Sequence, residues 1–285
     1  MKWFTIGVMT LFSLFFSNVD GARIISGNDF KAMSDFYLDE TGCTIIPSSV
    51  SEGSLIFVKT DYVDSFFTQF HPQISHRYVL ITHNSDYSNP GRFASYLDDK
   101  KLIAWFGQNI DFVHPKFHPI PIGMANERWT HGNQKVLTTV IFQTAQYKKE
   151  YLLYMNFTQG NYLNERGRVY GMFATKSFCY KTALQPFENY LIDLAKSQFV
   201  LSPRGNGLDC HRTWEALLLG SFPIVTSSLL DPLYDDLPVV IVQDWNEITA
   251  EFLNKKYEEM SQKTYNLDKL YVPYWNKLIR SYAAQ

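Results

Sequence analysis

The sequence contains few cysteines. Only Cys43, Cys179 and Cys210 occur among 285 residues, and none of them belongs to a CxxC pair of the kind that binds zinc. Three scattered cysteines cannot form a disulfide scaffold. An exported chain could pair two of them and leave one free, and the sequence does not say which. The apolar fraction of 46%, with 22 Phe and 18 Tyr, instead indicates a well-filled core.

A strong charge of either sign is also absent. The net charge is −2, and no run of lysine and arginine occurs. A surface that binds nucleic acid needs clustered positive charge to neutralise the phosphates. The composition therefore argues against a nucleic-acid partner, and any anion that the protein binds must be held by a local site.

No apolar run reaches the roughly 20 residues that span a bilayer comfortably. The N-terminal run from Trp3 to Phe16 follows a lysine and precedes small and polar residues, with Val19 and Gly21 before a possible cleavage point. This is the layout of a secretory signal. We expect residues 1–22 to be a cleaved signal, the alternative being a short signal-anchor that would hold the chain at a membrane. The protein is then exported: to the ER or Golgi lumen in a eukaryote, or to the periplasm or medium in a bacterium.

One N-glycosylation sequon is present, Asn156-Phe157-Thr158. It can be used only if the host is eukaryotic and the loop is exposed. An unused sequon is an equal alternative.

Short β-rich runs alternate with helical patterns, as expected for βα units around parallel sheets. We predict strands at Leu55–Lys59, Tyr78–Thr82, Leu102–Phe106, His118–Ile122, Tyr151–Met155, Phe199–Ser202, Phe222–Thr226 and Val239–Val242. The length suits two lobes of ordinary size. The charged interval from Thr144 to Glu150 favours lobes at residues 23–146 and 147–285, the second including a final amphipathic helix at Tyr265–Tyr282.

The stretch "SPRGNGLDCHRTWEALLLGSFPIV", residues 202–225, places a glycine-bearing turn between a buried strand and an apolar helix. We expect Asp209 to cap this helix and Gly220 to end it. A helix N-terminus beside the carboxyl end of a parallel strand presents unpaired N–H groups and a positive partial charge, which suits a phosphate. Arg212 adds a fork of donors for a diphosphate. Glu215 lies about 60° round the helix and could accept hydrogen bonds from ribose hydroxyls.

The same stretch has a simpler interpretation. It could be a core turn, with Arg212 and Glu215 forming a surface ion pair of small energetic value. The turn matches neither GxGxxG nor the P-loop pattern, which disfavours nicotinamide and nucleoside-triphosphate binding. Cys210 lies where a plain polar or small residue would be expected. On spacing alone, the anion site and the core turn remain balanced.

Residues 199–225, together with "VVIVQDWNEI" at 239–248, resemble the donor-binding core of exostosin-like glycosyltransferases. Weaker similarity extends to "YVLITHNSDYSNP" at 78–90, "PIPIGMANERW" at 119–129 and "YLLYMNF" with Arg166. The resemblance implies a GT-B-like α/β fold, with two Rossmann-like lobes whose parallel sheets face a central cleft. It also implies transfer of a sugar from a nucleotide-diphosphate sugar, held by the second lobe, to a glycan or other hydroxyl acceptor held by the first.

Carried over residue by residue, the resemblance assigns the diphosphate to Arg212 and the ribose or sugar hydroxyls to Glu215. The loop before the helix would hold the donor phosphates, and His211 would line the pocket. The expected substrate-binding residues are Ser202, Arg204, Gly205, Asn206, Gly207, His211, Arg212 and Glu215.

An inverting transfer needs a base that takes the proton of the acceptor hydroxyl. His83 and Asp86, in "THNSD" after a predicted first-lobe strand, are the candidate catalytic residues. Both are also natural hydrogen-bonding turn residues. A retaining transfer would need no such base, so the stereochemistry stays open.

The sequence has no Asp-x-Asp element of the kind that binds Mn or Mg in other sugar transferases. Only the adjacent pairs Asp98-Asp99 and Asp235-Asp236 occur. GT-B transferases generally replace the metal with a helix dipole and basic side chains. We therefore predict no metal and no cofactor apart from the nucleotide-sugar co-substrate. The alternative function is a catalytically inactive relative that binds a glycan or a nucleotide.

Overall fold

The computed structural model describes residues 22–285. The predicted signal segment at residues 1–22 lies outside the described residues, apart from Ala22. Across the described part, no helix is both long and apolar enough to cross a membrane.

The described residues form two sheets with helices between them. The strands are β1 (Phe36–Asp39), β2 (Gly42–Cys43), β3 (Ser54–Lys59), β4 (Tyr78–His83), β5 (Leu102–Gly107), β6 (Phe117–Pro119), β7 (Tyr151–Met155), β8 (Cys179–Lys181), β9 (Ser197–Leu201), β10 (Phe222–Thr226) and β11 (Val240–Val242). The α-helices are α1 (Gly27–Ala32), α2 (Val63–Ser65), α3 (Gln134–Thr144), α4 (Leu163–Phe173), α5 (Phe187–Ala195), α6 (His211–Leu218), α7 (Ala250–Met260) and α8 (Val272–Ala283).

Short 3₁₀ and π segments complete the secondary structure of the described part. The 3₁₀ segments are Pro47–Ser49, Thr60–Tyr62, His71–Gln73, Gly91–Asp98, Thr130–Gly132, Gln159–Tyr162, Asp231–Tyr234, Trp245–Glu247 and Asp268–Leu270. The π segment is Phe66–Phe70.

The first sheet has the strand order β2-β1-β3-β4-β5-β6 and is parallel except for the short edge strand β2. Its central strands β3 and β4 are almost completely buried along their length. Parallel strands covered by helices on both faces require such continuous apolar runs. This explains why the sequence pattern located both strands.

The second sheet has the order β11-β10-β9-β7-β8 and is entirely parallel. Its side chains alternate between two cores. Leu153 and Phe199 belong to one cluster, whereas their neighbours Tyr154 and Val200 belong to the larger cluster that continues into the first lobe. Successive strand residues point to opposite faces, so one face of this sheet contributes to a core shared by the lobes.

Two helices cross between the lobes. Helix α3, assigned by sequence to the first lobe, packs against α5 of the second lobe. Helix α8, assigned by sequence to the second lobe, packs against β4 and β5 of the first sheet. The two sheets lie on either side of residues 146/147, whereas α3 and α8 each pack on the lobe across that point, and the predicted boundary stays a prediction.

The α/β fold with two parallel-sheet lobes, expected from the resemblance, is confirmed. The prediction for β6 was displaced: the strand is Phe117–Pro119 rather than residues 118–122, because Pro121 has no N–H to continue the ladder. The short strands β1, β2 and β8 were not predicted, since two to four residues give little periodicity.

Candidate functional site

The carboxyl ends of the two sheets meet, and the loop after β9 lies at the contact. Asn206 Nδ2 donates to Asp86 Oδ2 at 3.2 Å, and the Asp209 backbone N–H donates to Asn109 Oδ1 at 2.9 Å. Asp86 and Asn109 follow first-lobe strands, whereas Asn206 and Asp209 precede α6. In open α/β sheets, ligands bind at this edge, so the structure brings the candidate residues of both lobes together.

The two glycines of the loop leave space for neighbouring side chains. A Cβ on Gly205 would lie 3.0 Å from Arg166 Nη2, and one on Gly207 would lie 2.6 Å from Asn109 Nδ2. Both glycines are among the expected substrate-binding residues, and that role stays a prediction. In the structure they let Arg166 and Asn109 pack against the loop backbone.

Asp209 does not cap α6, contrary to expectation. The N-cap residue is Cys210, and its side chain makes no cap hydrogen bond. The buried Asp209 carboxylate accepts hydrogen bonds at 2.8 Å from the Ile122 backbone N–H, Trp214 Nε1 and the Cys210 backbone N–H. Burial raises its pKa to about 6, although these donors oppose the rise. Asp209 thus joins the second-lobe helix to a first-lobe loop.

Arg212 is partly satisfied by protein. Its Nε donates to the Asn156 carbonyl at 3.0 Å, and its guanidinium lies 5.4 Å from the centre of the Phe157 ring. Its Nη1 is buried and has no hydrogen-bond partner within residues 22–285. A buried guanidinium nitrogen without an acceptor costs free energy, about 1–3 kcal/mol or more for a charged group. This nitrogen is therefore ready to receive an anionic ligand.

Arg166, on α4, is a second buried cation beside the loop. It donates to the carbonyls of Arg204 at 2.8 Å and Thr158 at 3.0 Å. Burial and the nearby charge of Arg212 lower its pKa. In the sequence analysis Arg166 appears only in the weaker part of the resemblance. It is 46 positions before Arg212, so no local pattern shows that the two side chains lie in the same site. Two cations that approach each other in a buried site favour a shared anion.

Cys210, which the sequence left unexplained, lies between these groups. Its thiol donates to the Pro203 carbonyl at 3.4 Å, and its Sγ accepts from Arg166 Nη2 at 3.6 Å. Burial raises the pKa of the thiol. A small, weakly polar side chain fits here because it can fill the buried space and still contact a guanidinium.

Glu215 is buried, and its Oε2 accepts a 2.7 Å hydrogen bond from the Tyr190 hydroxyl. Burial raises its pKa to about 7, against the opposing effects of Tyr190 and Arg212. Arg212 uses its Nε on the Asn156 carbonyl instead of pairing with this carboxylate. The interpretation of Arg212 and Glu215 as a surface ion pair is therefore wrong.

The remaining loop residues serve mainly to shape the loop. Ser202 Oγ and Thr213 Oγ1 are 2.9 Å apart, which ties the end of β9 to α6. Arg204 Nη2 donates to the Asn206 carbonyl at 3.1 Å, and the guanidinium lies 4.5 Å from the Tyr162 ring centre. Arg204 is one of the residues expected to bind the donor phosphates, but in this structure its guanidinium faces its own loop and an aromatic ring.

His83 is a buried packing residue. Its Nε2 donates to the Pro121 carbonyl at 2.9 Å, and its Nδ1 accepts from the Asn84 backbone N–H at 2.6 Å. Burial lowers its pKa to about 4. With both ring nitrogens engaged, His83 does not fit the predicted role of base. Asp86 is exposed beside Asn206, and its catalytic role stays a prediction.

His211, the first residue of α6, contacts the first lobe. Its Nδ1 donates to the Gly123 carbonyl at 2.7 Å, so the lone pair resides on Nε2. Nε2 makes no hydrogen bond within the described part of the chain. Burial lowers the pKa of His211 to about 4, against the charge of Asp86, which raises it. The imidazole is thus neutral near pH 7, with one nitrogen open to the junction between the lobes.

The sequon lies inside this site. Asn156 is buried, and its side-chain nitrogen donates to Thr182 Oγ1 at 2.8 Å and to the Ala183 carbonyl at 3.1 Å. Its backbone carbonyl accepts from Arg212. In the folded chain this amide is neither exposed nor free, which favours the unused sequon.

Within residues 22–285, no three His, Cys, Asp or Glu side chains are grouped so that they could hold a metal ion. The positive charge beside the loop is supplied by Arg166 and Arg212.

Several solved structures resemble this fold at low sequence identity. The GtfA/B complex matches with 10% identity and a TM-score of 0.40, covering 84% of this chain and 59% of that chain. Pneumococcal O-GlcNAc transferase GtfA, in complex with UDP and GlcNAc, matches with 9% identity and a TM-score of 0.31, covering 83% and 53%. A glycosyltransferase from Rickettsia africae ESF-5 matches with 10% identity and a TM-score of 0.35, covering 90% and 81%. This chain thus spans little more than half the length of the first two.

Comparison by sequence gives a more specific result. No curated protein matches the chain. A family model described as the RXYLT1 C-terminal domain matches residues 161–281, which include Arg166, the loop after β9 and all of α6. Residues 161–281 are therefore similar to the RXYLT1 C-terminal domain, and the resemblance to exostosin-like glycosyltransferases is confirmed through this part of the chain.

Proposed function

We propose that this protein is a glycosyltransferase of the secretory pathway. It transfers a sugar from a nucleoside-diphosphate sugar, bound by the second lobe, to a hydroxyl group of a glycan or other acceptor at the first lobe. The observation that carries the proposal is the buried, unpartnered Nη1 of Arg212 at the N-terminus of α6.

A diphosphate fits this position for electrostatic reasons. Burial and the positive charge of Arg212 lower the pKa of Arg166, which indicates that the two cations lie near each other. The backbone N–H groups at the start of α6 add positive partial charge. In a site shielded from water, such donors interact strongly with an anion. These donors support phosphate binding at the start of α6. Glu215 lies one helical turn further along, and in this proposal it accepts hydrogen bonds from ribose or sugar hydroxyls.

The same groups would assist the chemistry. When the bond from the sugar to the diphosphate breaks, negative charge accumulates on the leaving oxygen, and fixed guanidinium groups stabilise it. In this mechanism the arginines perform the role that a divalent cation performs elsewhere, so the proposed transfer is independent of metal. If the transfer is inverting, Asp86 or the open Nε2 of His211 would take the acceptor proton.

The test is thermal unfolding of the full chain with UDP and GDP. A nucleotide at 100 times its dissociation constant adds about 2.7 kcal/mol of stability, or roughly 5–10 °C in melting temperature. We expect one of the two to stabilise the wild type and to lose its effect in Arg212→Gln, with partial retention in Arg212→Lys. Arg168→Gln is the matched control, because Arg168 lies on α4 but is exposed and paired with Asp244.

Transfer is then measured with the stabilising nucleotide's sugars and a panel of acceptors, with and without EDTA. If EDTA leaves the turnover rate unchanged, the whole proposal is supported. If EDTA abolishes turnover and Mn²⁺ restores it, the proposed independence of metal is contradicted. Stabilisation without turnover supports the inactive binding module instead. If neither nucleotide stabilises the protein, the donor site is wrong.

A further inference from the structure

Trp129 is a large aromatic side chain held at the surface beside the junction of the lobes. It is 52% exposed. Its backbone N–H donates to the Asn126 carbonyl, and its carbonyl accepts from the Gly132 N–H, both at 2.9 Å. A Cβ on Gly132 would lie only 2.1 Å from the Asn126 carbonyl oxygen, so the turn tolerates no larger residue there. The indole is therefore displayed on a tight and defined turn.

Two histidine rings lie between this indole and the candidate site. Trp129 stacks on His131 with 6.2 Å between ring centres and 18° between planes, and His131 lies 6.1 Å from His211. We call these three residues the Trp129 platform. His211 is the first residue of α6 and is next to Arg212, so the platform extends from the surface to the proposed donor site.

The polar atoms of the platform are open. His131 is exposed, and neither of its ring nitrogens makes a hydrogen bond within residues 22–285. The Nε2 of His211 is also without a partner there, while its Nδ1 is fixed on the Gly123 carbonyl. An exposed indole with imidazole nitrogens beside it combines an apolar face with hydrogen-bonding groups, as ligand sites typically do.

A sugar ring suits this combination. One face of a pyranose presents C–H groups that pack on an aromatic ring, and its hydroxyls bind imidazole nitrogens. Arg128 lies 5.3 Å from the Trp129 ring centre and pairs with Glu40 at 2.8 Å, which gives the platform a charged border. A phosphate or acidic group is less suited to the indole, and a core role is excluded by its exposure.

We propose that the Trp129 platform is the acceptor subsite, where one sugar residue of the acceptor glycan stacks on Trp129 and places a hydroxyl near His211. The role as acceptor subsite rests on the proposed function. Sugar binding to the platform can be measured without any transfer.

The experiment is saturation-transfer difference NMR on the full chain. The probes are the methyl β-glycosides of xylose, glucose, galactose and N-acetylglucosamine, each with and without UDP. We expect at least one glycoside to receive saturation from the wild type at its ring protons. Trp129→Ala should reduce that signal at least fivefold, and Trp129→Phe, which keeps an aromatic face, should retain part of it. Circular dichroism verifies that each variant is folded.

Tyr147→Ala is the matched control. Tyr147 is an exposed aromatic residue just before β7, at the amino edge of the second sheet and so opposite the candidate site. Its removal should leave the glycoside signal unchanged. The platform proposal is overturned if no glycoside binds the wild type, or if Trp129→Ala binds as well as the wild type.

The outcomes separate this inference from the proposed function. Glycoside binding that depends on Trp129, without stabilisation by UDP or GDP, would retain the sugar site and reject the donor site. Where transfer is detected, Trp129→Ala should raise the KM for the acceptor about tenfold and leave the KM for the donor unchanged. A selective rise in the donor KM would contradict the assignment to the acceptor.

Discussion

At the scale of single residues, the candidate site is marked by a buried hydrogen-bond donor for which the protein supplies no acceptor. Each guanidinium nitrogen of Arg166 donates to a carbonyl or to the Cys210 sulfur, whereas Arg212 retains one buried nitrogen without an acceptor. Cys210 is explained by its position between Pro203 and Arg166 rather than by any reactivity. Buried polar groups in native proteins nearly always have partners. In the described residues the exceptions are His118 Nε2, Gln198 Oε1 and Arg212 Nη1, and only Arg212 is a cation at the N-terminus of α6, where an anionic ligand would be favoured.

Glu215 permits a test at the same scale. Glu215→Gln keeps the volume and an acceptor for Tyr190 but removes the charge that strengthens hydrogen bonds to donor hydroxyls. A hydrogen bond to a charged group contributes about 1.5–3 kcal/mol and a neutral one about 0.5–1.5 kcal/mol, so the loss of about 1–1.5 kcal/mol should raise the donor KM roughly 5- to 10-fold. The measurement is steady-state transfer at varied donor concentration.

Tyr190→Phe is the control for Glu215. It removes only the internal hydrogen bond at 2.7 Å, so it should lower the melting temperature more than it changes the donor KM. If both variants affect stability alone, Glu215 supports the core and does not contact the donor.

At the scale of elements, the loop between β9 and α6 joins the lobes as well as lining the site. Residues 206–211 form side-chain hydrogen bonds with first-lobe loops near residues 86, 109 and 122–123. The sequence predicted this strand, turn and helix because apolar runs and glycines mark them locally. It misassigned Asp209 as a helix cap because the actual partner, the Ile122 N–H, is 87 residues away.

Asp209→Ala tests the junction. The substitution leaves the Ile122 N–H and the Trp214 indole N–H buried without acceptors, each at a cost of about 1–3 kcal/mol. We expect a total loss of roughly 2–5 kcal/mol in the free energy of unfolding, measured by urea denaturation with tryptophan fluorescence. Asp64→Ala, which breaks an exposed ion pair with Arg92, should cost less than about 1 kcal/mol. Equal effects of the two substitutions would contradict a structural junction at Asp209.

At the scale of the whole molecule, the lobes are joined by an exchange of helices. Helix α3 covers the second lobe and α8 covers the first, and one hydrophobic cluster runs through both. Trp275 on α8 is buried against Phe30 and donates its indole N–H to the Lys269 carbonyl at 2.8 Å. The last part of the chain is thus part of the first-lobe core, and we expect the two lobes to unfold together.

Trp275→Ala tests this dependence. Truncation of a buried Trp costs about 3–5 kcal/mol, so the variant should melt well below the wild type, and in one transition that includes the second lobe. Differential scanning calorimetry measures both features. Lys277→Ala, an exposed change on the same helix, should leave the transition in place. If the variant shows two separate transitions and only that of the first lobe has a lower melting temperature, cooperative unfolding of the lobes is contradicted.

The α/β fold with two sheets, the main buried strands and the loop and helix of the candidate donor site could all be predicted from the amino-acid sequence. These features depend on local periodicity, on glycine and on residues close together in the chain. Four features could not be predicted in this way: which lobe α3 and α8 cover, which nitrogen of Arg212 lacks a partner, why Cys210 is tolerated and why His83 is not free to act as a base. Each depends on contacts between residues that are distant in sequence, such as Arg212 with Asn156 or His83 with Pro121, and no local pattern records them.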